Sequence, residues 1–189
     1  RVLFSHQHAD QTHGINDLRV FYLKNKKEIP IYADPVTTAY LKKTFNYCFK
    51  DYLTKHKSLY YPATLKINKL KKNHTFSNIK IESIPLNHGN IDSMSFIINQ
   101  KCAYASDAKL INKKNIRFFM NLQYFIIDCL RYDEHPSHYN LSEVLNLVKI
   151  IKPKKTILTN LHTDMDYKIL KRKLPKNIEP AYDGMTLIL

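Results

Sequence analysis

His6, His8 and Asp10 follow one another at two-residue steps, at the end of a short apolar run, Val2-Leu3-Phe4-Ser5. Imidazole and carboxylate are the donors that suit zinc, manganese or iron, and such an ion needs several of them aimed at one point. If Val2 to Ser5 is a strand, His6 and His8 point the same way, because side chains on a strand repeat every two residues. A turn after the strand then brings Asp10 back toward them. Two surface histidines beside a turn are the plain alternative. The sequence of strand followed by donors favours the metal reading.

A pair of metal ions asks for about six or seven ligands, so more must come from downstream. Three further donors stand where apolar, strand-like runs end. Ile79-Ile84 leads into Pro85-Leu86-Asn87-His88-Gly89, Cys102-Ala105 into Ser106-Asp107, and Thr156-Thr159 into Asn160-Leu161-His162. A site at one rim of a sheet requires that arrangement. A second dense segment is Arg131-Tyr132-Asp133-Glu134-His135-Pro136-Ser137-His138. Arg131 could clamp a phosphate through its planar fork, although a surface salt bridge explains it equally. His56 and His74 lie in basic loops and read as solvent-exposed.

The elements that position these residues follow from periodicity. Gly14 to Asn25 reads as a helix through Ile15, Leu18, Phe21 and Leu23. Ile29 to Ala33 is β-rich, and Pro30 places it at a strand start or an edge. Pro35 suits a helix start, and helical spacing continues from Val36 to Phe49. Asp51 to Pro62 is aromatic and basic without a period, a loop that could edge an active site. Leu65-Leu70, Ile79-Ile84, Met94-Ile98 and Cys102-Ala105 then read as a run of antiparallel strands. A short helical region near Lys113 to Met120 and a buried strand from Tyr124 to Leu130 follow. Asn140 with Glu143 forms a helix-capping pair, and Leu141, Val144, Leu145, Val148 and Ile151 mark one face of that helix. Thr156 to Thr159 is a strand, Tyr167 to Leu174 a helix, Asp183-Gly184 a turn, and Thr186 to Leu189 a last strand. Sheets with helices outside them, an α+β arrangement in one domain over residues 1–189, is the architecture this order implies.

The chain has 189 residues and a formal charge of +14. Its lysines are scattered, with small clusters at Lys24-Lys27, Lys66-Lys72 and Lys152-Lys155, and none is interleaved with aromatics as a base-stacking platform needs. The charge therefore leaves nucleic acid as the lesser partner. Cys48, Cys102 and Cys129 are odd in number and lack ligand spacing, which argues against a disulfide framework and for a reducing cytoplasm. No apolar stretch is long enough to cross a bilayer.

The run His-Gln-His-Ala-Asp-Gln at residues 6–11 resembles the His-x-His-x-Asp-His signature of the metallo-β-lactamase-like hydrolases. His8 to Arg19 resembles the branch that includes the phosphoribosyl cyclic phosphate phosphodiesterases, as does Glu179-Pro180-Ala181-Tyr182-Asp183-Gly184-Met185 near the C-terminus. The resemblance implies an αββα sandwich. Family members carry several strands before the motif, so it also implies a domain cut short at Arg1, with its N-terminal strands absent. By the same carry-over His6, His8 and His88 bind one divalent ion, Asp10 and His162 bind another, and Asp107 bridges them. Zinc or manganese are the expected ions. Asp107 thereby enters the reaction itself. His138 matches a histidine that the phosphodiesterases use near the scissile phosphate without binding metal, where it protonates the leaving oxygen or stabilises the phosphate's charge. His135 is its partner or merely solvated. Asp164 and Asp166 either orient His162 or are solvated loop carboxylates. The implied activity is hydrolysis of a small cyclic phosphodiester by a metal-activated hydroxide. The rivals are an RNA-processing nuclease similar to tRNase Z, and a truncated domain without activity. The partners implied are the small phosphodiester and no membrane, with a homodimer left open.

Gln11 departs from the signature, which has histidine there. An amide oxygen is a weaker, neutral donor, so Gln11 as a ligand makes the second metal site weaker than the first; His13 serves beside it as a helper or at a helix start. Calorimetric metal titration is expected to give two unequal steps, and Gln11→His to tighten the weaker one. Two equal, tight steps in the unaltered protein contradict this.

Overall fold

The computed structural model describes residues 1–49 and 62–189 in full, and the backbone alone of 52–53 and 60–61. The expected aromatic loop from Asp51 and the exposure of His56 thus fall largely outside the described residues. The chain divides into two compact units, Arg1–Lys71 and Lys72–Leu189. Among the described residues no helix is long and apolar enough to cross a membrane.

The first unit holds a three-stranded parallel sheet in the order β1 (Val2–Leu3), β2 (Ile29–Ala33), β5 (Leu65–Lys69), and a separate antiparallel pair, β3 (Tyr52–Leu53) and β4 (Tyr60–Tyr61). β1 is shorter than the expected Val2–Ser5, but Phe4 N–H still donates to Tyr32 O at 2.9 Å. β2 is the central strand. Pro30 is tolerated because it stands second in β2, at a level that β1, paired only with Ile31 and Tyr32, does not reach. β5 lies parallel to β2 and so is not part of the antiparallel run expected from sequence. The long connection between them contains a helix, as parallel neighbours require.

The helix expected at Gly14–Asn25 starts earlier and is broken. α1 spans Ala9–Thr12, a 3₁₀ turn spans His13–Leu18, and α2 spans Arg19–Asn25. Gly14, Asn16 and Asp17 are poor helix formers, and they fall in the 3₁₀ stretch. α3 (Pro35–Thr44) begins as expected, with Pro35 in its first turn and Asp34 Oδ1 accepting from Val36 N–H and Thr37 N–H. It stops at Thr44, where Phe45 leaves helical geometry; a 3₁₀ turn at Asn46–Cys48 replaces the expected continuation. Phe4, Ile15, Ile31, Leu41, Phe45 and Leu65 form the core of this unit.

The second unit holds a seven-stranded sheet in the order β12-β11-β10-β9-β8-β7-β6. The strands are β6 (Asn73–Phe76), β7 (Ile79–His88), β8 (Ile91–Ile98), β9 (Cys102–Ala105), β10 (Tyr124–Asp128), β11 (Lys155–Thr159) and β12 (Ile178–Pro180). β6 to β9 are antiparallel; β9 to β12 are parallel. β7 does not end at Ile84 but runs through Pro85 to His88. Pro85 costs no ladder bond there, because it falls in the gap between the last β6 pair, at Glu82, and the bridge from Asn87 to Leu110.

α4 (Leu141–Ile151) carries the full capping box: Asn140 Oδ1 accepts from Glu143 N–H while Glu143 Oε2 accepts from Asn140 N–H. Its buried stripe is Val144, Leu147, Val148 and Ile151, with Leu141 and Leu145 partly covered at its margin. α5 (Tyr167–Lys173) is capped by Asp166. The expected strand at Thr186–Leu189 is absent. That segment follows the turn at Gly184, whose φ is +88°, and Ile188 is 80 % exposed. The last strand is β12 instead.

Candidate active site

In the first unit β1 delivers its donors at once. His6 is buried and His8 exposed, with ring centroids 4.6 Å apart and edge-on. Ser5 Oγ donates to Gln11 Oε1 at 3.4 Å and lies 3.1 Å from His6 Nδ1. With its one proton given to Gln11, the hydroxyl accepts from His6 Nδ1–H, which makes Nε2 the lone-pair nitrogen. Gln11 Nε2 donates in turn to Asp10 Oδ2 at 3.0 Å. Burial pushes the Asp10 carboxyl up, but the Gln11 amide, its backbone hydrogen bond and the two histidines outweigh this and hold it below its ordinary value. Gln11 thus links Ser5 to Asp10. His13 is exposed, with Nε2 3.4 Å from Tyr40 Oη and its ring edge-on to Phe45.

In the second unit the sheet itself builds a rim. β9, β10 and β11 run parallel in matched register: Ala105 lies level with Ile127, and Asp128 with Thr159. Their ends therefore release Asp107, Asp128 and Asn160 side by side. β7 and β8 are antiparallel to each other and close on Gly89-Asn90 at this same end, where Ser93 Oγ donates to Asp107 O at 2.5 Å. His88, expected on a loop, is the last residue of β7.

Asp107 and Asp128 are 2 % and 0 % exposed. One donor atom from each, with one from His138, lie within 4.8 Å of one another. The Asn160 amide binds the two carboxylates together: Nδ2 donates to Asp107 Oδ1 at 3.0 Å and to Asp128 Oδ1 at 3.1 Å. Asn160 adopts φ +59°, the left-handed geometry that asparagine tolerates better than most residues. Asp128 Oδ2 accepts from Ala108 N–H at 3.2 Å and faces His138 Nδ1 at 2.7 Å. A carboxylate partner places the histidine proton on Nδ1 and leaves Nε2 for acid–base work or coordination.

His88 Nδ1 lies 2.7 Å from Ser137 O. A carbonyl only accepts, so Nδ1 carries the proton and Nε2 the lone pair that a metal takes. The His88 and His138 rings meet edge-on at 4.7 Å, and His135 stands 4.9 Å from His138. Burial, then the nearby His138 and Arg131, push the His135 imidazole below its ordinary value; its Nδ1 accepts from Ser137 N–H. Arg131 Nη2 donates to Glu134 O at 2.5 Å, within its own loop.

His162 is not part of the buried group. Its side chain is 55 % exposed, with Nδ1 3.0 Å from Asp164 Oδ1; Asp166 caps α5. Two residues of the rim escape sequence reasoning. Asp128 closes an apolar run, Tyr124-Phe125-Ile126-Ile127, and the abrupt charge at its end was the available signal. Asn160 is an amide next to a sought histidine, and nothing local marks it.

Two buried carboxylates crosslinked by a neutral amide form a centre that demands positive charge. With His138 and His88 beside them, the donor types suit a divalent ion.

Residues 1–160 match the family described as the beta-lactamase superfamily domain. The chain belongs to that family, and its fold, α+β in class, is the metallo-β-lactamase fold. It resembles a diphosphatase of the PhnP family, with a TM-score of 0.86 and 24 % identity, covering 99 % of this chain and 70 % of that one. It also resembles the metallo-beta-lactamase fold protein YhfI of Bacillus subtilis, with a TM-score of 0.76 and 18 % identity over 97 % of this chain and 74 % of that one. A curated relative, an octanoyltransferase of Porphyromonas gingivalis, is 27 % identical over 195 residues. That match takes in 100 % of this chain but only 37 % of the relative's length.

The rim depends on one glycine. Gly89 has φ +66°, and a Cβ there would stand 2.8 Å from Ser137 Cβ, in the residue whose carbonyl orients His88. Gly89→Ala is expected to lower stability by about 1–3 kcal/mol. Gly14→Ala, with no heavy atom within 4 Å of the new Cβ, is expected to be close to neutral. Urea denaturation of both variants checks this; equal midpoints contradict it.

Proposed function

We propose that this chain carries a metal-dependent phosphodiester hydrolase site that opens small cyclic phosphates, with His138 as general acid. One observation supports this most: His138 Nδ1 held 2.7 Å from the fully buried Asp128 carboxylate, at the rim that also presents Asp107. An imidazole anchored through Nδ1 presents Nε2 in a fixed direction. A ring so anchored, when protonated, can give its Nε2 proton to a leaving oxygen.

The metal donors in this reading are His6, His8, Asp10 and Gln11 in the first unit, and His88, Asp107 and His162 in the second. Divalent ions, zinc or manganese, supply a lowered pKa for water and polarisation of the phosphoryl oxygens. The residues of the chain do the rest. Asn160 and Ala108 N–H hold the carboxylates in place, Ser137 O orients His88, and Asp128 positions His138.

The thiols argue against a cysteine nucleophile. All three are buried and unpaired. Burial raises Cys48 and Cys102, and burial together with the Asp128 charge pushes Cys129 up to about 12. Acyl transfer through a thiolate therefore has no carrier here. Unpaired thiols also suit a reducing cytoplasm, the compartment this reading assigns.

If His138 protonates the leaving group, His138→Ala lowers kcat by roughly 10²–10⁴-fold on a cyclic ribose phosphate. The loss is smaller on a nitrophenyl phosphodiester, whose leaving group needs less help. Metal content stays at the level of the unaltered protein. Kinetics on both substrates, with metal analysis of the same preparation, make the test. Loss of metal makes His138 a ligand, and unchanged turnover makes it a bystander. Faster turnover of a precursor tRNA than of the cyclic phosphate favours the nuclease reading instead.

A further inference from the structure

Asp107 and His138 stand on different loops, and Lys109 reaches from one loop to the other. It follows Ala108, whose N–H donates to Asp128 Oδ2 at 3.2 Å and whose carbonyl accepts from Tyr139 N–H at 2.7 Å. The Lys109 N–H donates to Asn87 O at 2.7 Å, in the residue before His88. Its side chain then crosses to α4, where Nζ donates to Glu143 Oε1 at 2.6 Å.

Glu143 serves two tasks with its two oxygens. Oε2 accepts from Asn140 N–H at 2.9 Å and so fixes the start of α4. Oε1 ties that start to the loop after β9. An exposed ion pair is worth little, because two long side chains lose their freedom and water screens the charges. Both costs are reduced here. The side chains are only 24 % and 30 % exposed. The cap already holds Glu143 and the Asn87 bond already holds the Lys109 backbone, so less freedom remains to be lost. The other direct ties between the two loops all run through Tyr139: its N–H on Ala108 O, and Ile111 N–H on its hydroxyl. A segment held at Tyr139 alone can pivot. Held again at Glu143, it keeps one direction.

We propose that Lys109 is a positioning residue: its ion pair with Glu143 locks the loop presenting Asp107 to the loop presenting His138, and so sets the reach of His138 Nε2 toward a leaving oxygen. A proton passes well only across a hydrogen-bond distance, and a misplacement of about 1 Å can cost roughly a hundredfold in rate. The consequence for catalysis rests on the phosphodiesterase reading; the lock itself does not.

The test is amide hydrogen exchange by NMR in the full chain, with turnover measured on the same samples. Lys109→Met keeps the stem without the charge. Glu143→Gln keeps an acceptor for the Asn140 cap but loses the ion pair. In each, the Ala108 and Tyr139 amides exchange about five- to tenfold faster, while Phe125 and Ile157 in the sheet keep their rates. The double variant exchanges no faster than either single one, because the two act through one contact. Lys109→Arg restores slow exchange. On a cyclic ribose phosphate both single variants lose about tenfold in kcat with KM unchanged, and a nitrophenyl phosphodiester, which needs less proton donation, is hurt less. Unchanged exchange at Ala108 and Tyr139, effects that add in the double variant, faster exchange spreading to Phe125 and Ile157, or equal loss on both substrates overturns the proposal. If the unaltered protein turns over neither diester, the phosphodiesterase reading fails, and the exchange rates alone decide the lock.

Discussion

Two carboxylates buried side by side, Asp107 and Asp128, are the constraint on which the second unit's architecture depends. A buried charge without partners costs several kcal/mol, and two like charges cost more. The fold answers with donors brought from three directions. Ala108 N–H comes from the loop after β9, Asn160 from the end of β11, and His138 from the loop before α4, all meeting Asp128 at the end of β10. That loop is in turn pinned by Tyr139 N–H on Ala108 O, by Leu130 N–H on Tyr139 O, and by Ile111 N–H on the Tyr139 hydroxyl. Burial, together with the Glu143 charge, outweighs that contact and pushes the Tyr139 hydroxyl up to about 12. These bonds stabilise the loop and aim His138 at the same time.

The parallel register is what makes this possible. Three parallel strands of similar length end at one level, so residues at their C-terminal ends converge, Asn160 by way of its left-handed backbone. The antiparallel half of the sheet contributes by a different route. His88 ends β7, and the tight turn at Gly89 lets the 136–137 backbone come close enough for Ser137 O to accept from His88 Nδ1–H. The chain has three glycines in all, so a glycine at this one close approach is a specific solution rather than general looseness.

Much of this was legible in the sequence where the signal is local. β2 and β9 span the residues read as strands from the sequence, and the Asn140–Glu143 cap is a spacing that can be read directly. His88 and Asp107 were visible as donors beside strand ends. Asp128 was not, because a carboxylate ending a continuous apolar run reads as the edge of a buried strand, and its partner His138 lies ten residues on across a loop. Asn160 was hidden because its role arises from the register of β9, β10 and β11, which no local pattern encodes. Pro85 concealed the true end of β7, since a proline counts against a strand unless one side is known to be open. Thr186–Leu189 looked like a strand by composition, but β12 already occupies the edge of β11.

The central claim is that the buried Asp128 carboxylate fixes His138 with its proton on Nδ1 and its Nε2 turned to the reaction. Long-range ¹H–¹⁵N NMR of the His138 ring in the full chain tests this most directly. The account predicts a protonated Nδ1 whose proton resonates far downfield and exchanges slowly with water, as expected of a short bond to a buried carboxylate. A neutral ring protonated on Nε2 alone, or an Nδ1 proton lost to rapid exchange, would contradict it.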